Sequence, residues 1–201
     1  MSNLEDQEIK VILVGESGTG KTSLINIAMG ETFIEGAEPS TSSSSFVTKI
    51  MKFGDKSYMV NLWDTIGQEK FRSLTRIFIK DSKIVIFVYD ITNKKSFEEL
   101  EYWFKTIHDV LGDSPILGVV GNKQDLFIRE EVKEEIAEKY AEDKKASFKL
   151  TSAKNPLSFI SFLEELVKKY IVQCGGVVES TNGKKLTNTK DNNSSKRKKC
   201  C

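Results

Sequence analysis

The feature that most constrains the fold is a change of texture near the N-terminus. The largely aliphatic run Ile9–Val14 leads directly into Gly15-Glu16-Ser17-Gly18-Thr19-Gly20-Lys21-Thr22, and a helical pattern, Thr22–Met29, follows at once with Gly30 as its C-cap. The spacing G-x-x-x-x-G-K-[ST] is that of a loop that wraps phosphate groups. Its glycines let the backbone turn tightly and present several N–H groups to phosphate oxygens with no Cβ in the way. The following helix adds its positive end. In such a loop Lys21 reaches the β- and γ-phosphates of a nucleotide and Thr22 offers a hydroxyl to Mg²⁺. A buried strand, this loop and a helix, in that order, belong to an α/β sheet whose ligands sit beyond the carboxyl ends of its strands.

The rest of the chain keeps that alternation. Ile84–Tyr89 and Ile116–Val120 are short, nearly continuous apolar runs, as expected of strands covered on both faces. Phe46–Phe53 and Ser57–Trp63 flank Gly54-Asp55-Lys56 and predict a hairpin. Phe97, Leu100, Phe104, Ile107 and Leu111 share one helical face, entered through Ser96 with Glu99 three residues on, a capping-box pattern. Phe159, Phe162, Leu163, Leu166, Val167 and Tyr170 form another, entered by Asn155 and Pro156, and Val132, Ile136 and Tyr140 mark a weaker third. The expected architecture is therefore a mostly parallel sheet with helices on both faces.

Charge divides the chain in two. The net charge is only +1, which gives no general affinity for nucleic acid, yet residues 175–201 carry seven basic side chains against two acidic ones. A mildly acidic body thus precedes a basic tail. Beyond Gly175-Gly176 the composition turns to Asn, Ser, Thr and Lys, too polar to offset its own ordering entropy, so a folded domain over 1–174 and a disordered tail over 175–201 are expected. No apolar run approaches the roughly 18 residues of a spanning helix. Three cysteines, two of them the last two residues, do not make a disulfide framework.

Asn122-Lys123-Gln124-Asp125 follows the run Ile116–Val120, and Thr151-Ser152-Ala153-Lys154 follows Phe148–Leu150. With these two segments in order behind the phosphate loop, the chain resembles a Ras-superfamily small GTPase over roughly residues 8–173. The resemblance implies a P-loop fold with a six-stranded, mostly parallel sheet, and a switch that binds GTP or GDP with Mg²⁺ and hydrolyses GTP. It implies that Ser17, Gly18, Thr19, Gly20, Lys21, Thr22 and Ser23 surround the phosphates. Asn122 and Asp125 read the base, Lys123 packs along it, Ser152, Ala153 and Lys154 complete the pocket, and Phe33 lies against the base. A carboxylate at Asp125 suits guanine, which offers two donors on the edge where adenine has no such pair; with adenine it stays unpaired. No segment suggests the substrate-phosphate or lid element of a kinase.

Trp63-Asp64-Thr65-Ile66-Gly67-Gln68-Glu69 resembles the family's second switch. By that resemblance Asp64 holds Mg²⁺ through water, the Gly67 N–H senses the γ-phosphate, and Gln68 orients the attacking water. Lys70-Phe71-Arg72-Ser73-Leu74-Thr75 and Val88-Tyr89-Asp90-Ile91-Thr92 resemble the Rab branch, in which Phe46, Trp63 and Phe78 match an aromatic triad that meets effectors. Two departures stand out. The first-switch segment Pro39–Phe46 is serine-rich and one residue longer than usual, so the Mg²⁺ ligand is Thr41 by its Ser-Thr pair or Ser40 by spacing. Ile66 replaces the family's alanine.

The terminal Lys196-Arg197-Lys198-Lys199-Cys200-Cys201 resembles the Rab signal for double geranylgeranylation. Two lipid chains, or one with a basic patch, hold a protein at a membrane where one chain alone does not. The resemblance thus implies a monomer working in vesicle traffic at the cytoplasmic face of an intracellular membrane, with a cytosolic pool. Its partners would be effectors, an exchange factor, a GTPase-activating protein and a dissociation inhibitor of the Rab type.

Overall fold

Strict alternation inside the strands builds the two-sided sheet. In β1 (Glu8–Val14), Ile9, Val11 and Leu13 point to one face while Ile12 and Val14 point to the other. β4 (Ile84–Asp90) repeats the pattern, with Ile84, Ile86 and Val88 on the first face and Val85, Phe87 and Tyr89 on the second. All seven residues of β4 are buried, which is why its sequence reads as continuous rather than alternating hydrophobicity. The computed structural model describes residues 8–34, 45–65, 77–179 and 185–186.

Six strands form the main sheet in the order β2-β3-β1-β4-β5-β6. β3 (Lys56–Asp64), β1, β4, β5 (Ile116–Asn122) and β6 (Ser147–Leu150) run parallel, and β2 (Ser45–Phe53) joins β3 antiparallel at one edge. The expected six-stranded, mostly parallel sheet is thus present. α1 (Lys21–Ala28) and the 18-residue helix that starts at Pro156 cover the first face. The second face is covered by α2 (Lys94–Glu98), α3 (Leu100–Leu111) and α4 (Glu134–Asp143); the Pro156–Gln173 helix is α5. β1 lies between β3 and β4, so the chain leaves β1 where the strand order reverses. The loop after β1 therefore opens into the crevice at the carboxyl ends of the strands.

Local details depart from the sequence reading in instructive ways. The β2–β3 turn is only Gly54-Asp55, because Lys56 pairs with Phe53 as the first residue of β3. Ser96 is not the helix cap. Asn93 is, its side chain accepting from the Ser96 N–H at 3.2 Å, while the buried Ser96 hydroxyl bonds the Asn93 carbonyl at 2.7 Å. Asn93 precedes Ser96 by three residues, the spacing at which a cap side chain meets an amide of the first turn. α4 buries Ala137 and Ala141, whereas Ile136 is exposed and Val132 is buried before the helix begins. Small alanines let α4 approach the sheet where a larger side chain would hold it off. Past the expected boundary at residue 174, Val178 is 1% exposed and joins the core of the first face. Val178–Glu179 (β7) pairs antiparallel with Lys185–Leu186 (β8). Among the described residues no helix is long and apolar enough to cross a membrane.

Candidate functional site

The glycines of the first loop are needed for two different reasons. A Cβ on Gly15 would lie 2.1 Å from the Val88 carbonyl oxygen of β4, so the chain can cross that strand only without a side chain. Gly20 adopts φ +88, and a Cβ there would lie 2.4 Å from the Asn122 amide nitrogen. The loop is then held by its own polar atoms. The Thr19 hydroxyl donates to the Glu16 carbonyl at 2.9 Å, and Lys21 Nζ donates to the carbonyls of Gly15 and Glu16 at 2.9 and 2.8 Å. Ser17 and Gly18 face solvent at the rim, and Ser23 is buried in α1.

Lys21 is 5% exposed, and burial pulls its pKa down to about 8, with the nearby carboxylates of Asp64 and Glu16 opposing the shift. An ammonium held so far out of water is a strong attractor for an anion entering the crevice. Beside it, the Thr22 hydroxyl donates to Asp64 Oδ2 at 2.7 Å, and Asp64 is 4% exposed. Thr65, next in sequence, is pinned by its hydroxyl to the Leu13 carbonyl at 2.6 Å, so the end of β3 is fixed against β1. A hydroxyl and a carboxylate, with only oxygen donors, form a hard ligand set that suits Mg²⁺ bound together with phosphate oxygens and water.

The two segments expected to read the base meet at the ends of β5 and β6. The Gln124 N–H donates to the Thr151 carbonyl at 2.9 Å and the Thr151 N–H to the Gly121 carbonyl at 2.8 Å, tying them backbone to backbone. Asp125 Oδ1 accepts from the Ser152 hydroxyl at 2.6 Å, and Oδ2 lies 3.3 Å from Lys154 Nζ. Burial alone would raise the pKa of this carboxyl. The Ser152 hydroxyl and the Lys154 ammonium outweigh it and hold Asp125 below the ordinary carboxylate range. Phe33, Ala153 and Lys154 line one hollow of about 590 Å³, with Lys154 Nζ 6.0 Å from the Phe33 ring centroid.

The chain is similar in sequence to known proteins. The profile described as Ras family matches residues 10–172. Ras-related protein Rab-26 of Bos taurus is 36% identical over 169 residues, covering 82% of this chain and 66% of that protein. Ras-related protein Rab-21 of Geodia cydonium is 38% identical over 162 residues, covering 81% of this chain and 70% of that protein, and the match to Rab-21 of Homo sapiens, at the same identity, covers 81% of this chain and 72% of that protein. The chain belongs to the Ras family. It is a Rab-like small GTPase, a guanine-nucleotide switch of membrane trafficking.

In this Rab-like GTPase, Asn122 and Lys123 do work that their motif alone does not reveal. Both ends of the Asn122 carboxamide are engaged by protein. Its nitrogen donates to the Thr19 carbonyl at 2.9 Å, and its oxygen accepts from the Thr151 hydroxyl at 3.2 Å. Asn122 is 1% exposed and joins the phosphate loop to both base segments, whereas the sequence reading gives it to the base. One amide hydrogen is left for a ligand. Lys123 takes the left-handed conformation, φ 67, and its ammonium lies 2.7 Å from Asp90 Oδ2. Asp90 Oδ1 meanwhile accepts from the N–H and hydroxyl of Thr92 at 2.9 and 2.8 Å. Asp90 and Thr151 are therefore part of the site, though the sequence reading names them without roles. The Asp-x-Thr pattern that starts on the last residue of β4 is the one local signal for the first.

The aromatic residues expected at the effector surface do form a continuous group on β2, β3 and the segment before β4. Phe46 stacks on Trp63 at 4.7 Å, and Trp63 meets Phe78 at 6.1 Å. Lys10 Nζ sits 4.5 Å over the Trp63 ring. Phe46 is 52% exposed while Trp63 and Phe78 are half-buried, so the group is partly an exposed apolar patch and partly a lid on the core. Ser40, Thr41, Ile66, Gly67, Gln68, Cys200 and Cys201 lie outside the described residues.

Proposed function

We propose that the nucleotide is held in two halves. The phosphates lie on the Gly15–Thr22 loop against Lys21, and the guanine lies against Asp125, with Lys123, Ser152, Ala153, Lys154 and Phe33 around it. The observation that carries this reading is the state of Asp125. An ionised carboxylate, fixed by Ser152 and Lys154, still has lone pairs open to accept the two guanine donors. Adenine would leave them unpaired, at a cost that discriminates strongly. Magnesium bound by Thr22 and Asp64, with Thr41 from the first switch, would supply positive charge to the β- and γ-phosphates. Gln68 orients the water that attacks the γ-phosphate, and the Gly67 N–H senses that phosphate, so that hydrolysis releases both switches.

The Phe46–Trp63–Phe78 group is the face offered to effectors in the GTP state. Cys200 and Cys201 carry geranylgeranyl groups, and Lys196–Lys199 add attraction to an anionic leaflet, which places the protein, as a monomer, on the cytoplasmic face of an intracellular membrane. The deciding experiment is competition for a fluorescent GDP analogue. GDP and GTP displace it tightly and ATP hardly at all, and Asp125→Asn moves the preference toward xanthine nucleotides. Equal competition by ATP and GTP in the parent protein refutes the guanine assignment.

A further inference from the structure

The first helix binds phosphate at one end, and its other end is fastened in an unusual way. The last carbonyls of a helix have no partner inside it. Here the Met29 N–H bonds the Ile25 carbonyl at 3.1 Å, the N–H of Gly30, at φ +92, bonds Ile27 at 3.1 Å, and the Glu31 N–H reaches back to Asn26 at 3.0 Å. This pairing of six-to-one and five-to-two bonds around a left-handed glycine satisfies the local carbonyls as far as the backbone can. The carbonyl it leaves out is that of Ala28. Lys49 Nζ donates to it at 2.6 Å, from 21 residues further along the chain.

Lys49 stands in the middle of β2, opposite Val60 of β3. It falls in the same alternating row as Val47 and Met51, which pack against the core that holds α1. An ammonium at a helix C-terminus meets the negative end of the helix dipole, so the contact is charge-assisted as well as geometric. Five residues after Ala28 comes Phe33, half-buried against that same core and beside Lys154, the residue that also holds Asp125.

We infer that Lys49 is a positioning residue for nucleotide retention, fixing the end of α1 from which Phe33 is carried and acting on the base through Phe33. The inference rests on the placement of Phe33 against guanine proposed above. It also gives β2 a mechanical link to the nucleotide. Phe46, three residues before Lys49 on the same strand, stacks on Trp63 at the effector face, so a partner that shifts β2 there also shifts the clamp on α1.

The test is the release rate of a fluorescent GDP analogue from the full chain loaded in Mg²⁺. Lys49→Met is expected to release about tenfold faster, the scale of one charge-assisted hydrogen bond. Lys49→Arg, which keeps a long cationic donor, stays near the parent, and Lys49→Gln serves as the loss variant should Lys49→Met fail to fold. Phe33→Leu also releases faster, and the double variant is no faster than Phe33→Leu alone, because the two act in series. A Lys49 loss variant within about twofold of the parent, or one whose effect multiplies with that of Phe33→Leu, overturns the inference. A silent Phe33→Leu instead refutes the placement of Phe33 against the base and the route through it. A silent loss variant beside a fast Phe33→Leu refutes only the role of Lys49.

Discussion

Replacing Asn122 by alanine separates its role as a clamp from a role at the base. The side chain is 1% exposed and bridges the Thr19 carbonyl at 2.9 Å and the Thr151 hydroxyl at 3.2 Å; Thr19 and Thr151 are 1% and 0% exposed. Truncation leaves both groups buried without that partner, at about 1–3 kcal/mol each. The expected loss of folding stability is therefore about 2–6 kcal/mol, a large share of the ~5–15 kcal/mol typical of a domain. Urea unfolding followed by tryptophan fluorescence measures it. Because bound nucleotide also stabilises the fold, each variant's GDP affinity is measured and its contribution subtracted. Asp125→Ala is the comparator. Its side chain is largely bonded at the solvent-facing rim by Ser152 and Lys154, so it should lose guanine affinity by orders of magnitude and intrinsic stability by less than about 1 kcal/mol. The reasoning is wrong if Asn122→Ala keeps its intrinsic stability within about 0.5 kcal/mol while losing GDP affinity, because Asn122 would then act at the base.

Gly20→Ala should weaken GDP binding tenfold or more, about 1.4 kcal/mol or above, since its Cβ would meet the Asn122 amide nitrogen. Gly18→Ala, equally left-handed but with nothing within 4 Å, should cost less in the same titration. Lys21 supplies a pH dependence. Its pKa of about 8 rises when phosphate anions bind, so both states are largely protonated at pH 7 and binding takes up a growing fraction of a proton as pH passes through 8. Affinity for GDP should be flat between pH 6.5 and 7.5 and fall as pH rises from about 8 to 9, with proton uptake visible by calorimetry in buffers of different ionisation heat; flat affinity through pH 9 contradicts it. Cys200 and Cys201 both replaced by serine should move the protein into the soluble fraction of cells; retention in the membrane fraction means another anchor exists.

The division between what was legible in the sequence and what was not follows from the range of the interactions. The mostly parallel sheet and the phosphate loop are readable because each rests on short-range chemistry, while the strand count and the base-reading roles are what the resemblance to the Ras superfamily implies. Continuous aliphatic runs make strands buried on both faces, and glycines at fixed spacing make a loop that admits phosphate. The roles of other residues depend on partners far away in the chain. Asn122 is a clamp because Thr19 and Thr151 lie 103 and 29 residues off, and Lys123 is held by Asp90 across two parallel strands. Helix details were misread for the same reason at shorter range: Ser96 looks like a cap until Asn93 is seen to occupy that place, and Ile136 looks like core until the sheet is seen to demand alanine at 137 and 141. By itself the sequence determined which nucleotide phosphates and which base this chain is made to hold. Only the packing of β2 against α1 decided that Lys49 sits on the Ala28 carbonyl at the end of that helix, because a hydrogen bond between elements has no local pattern to announce it.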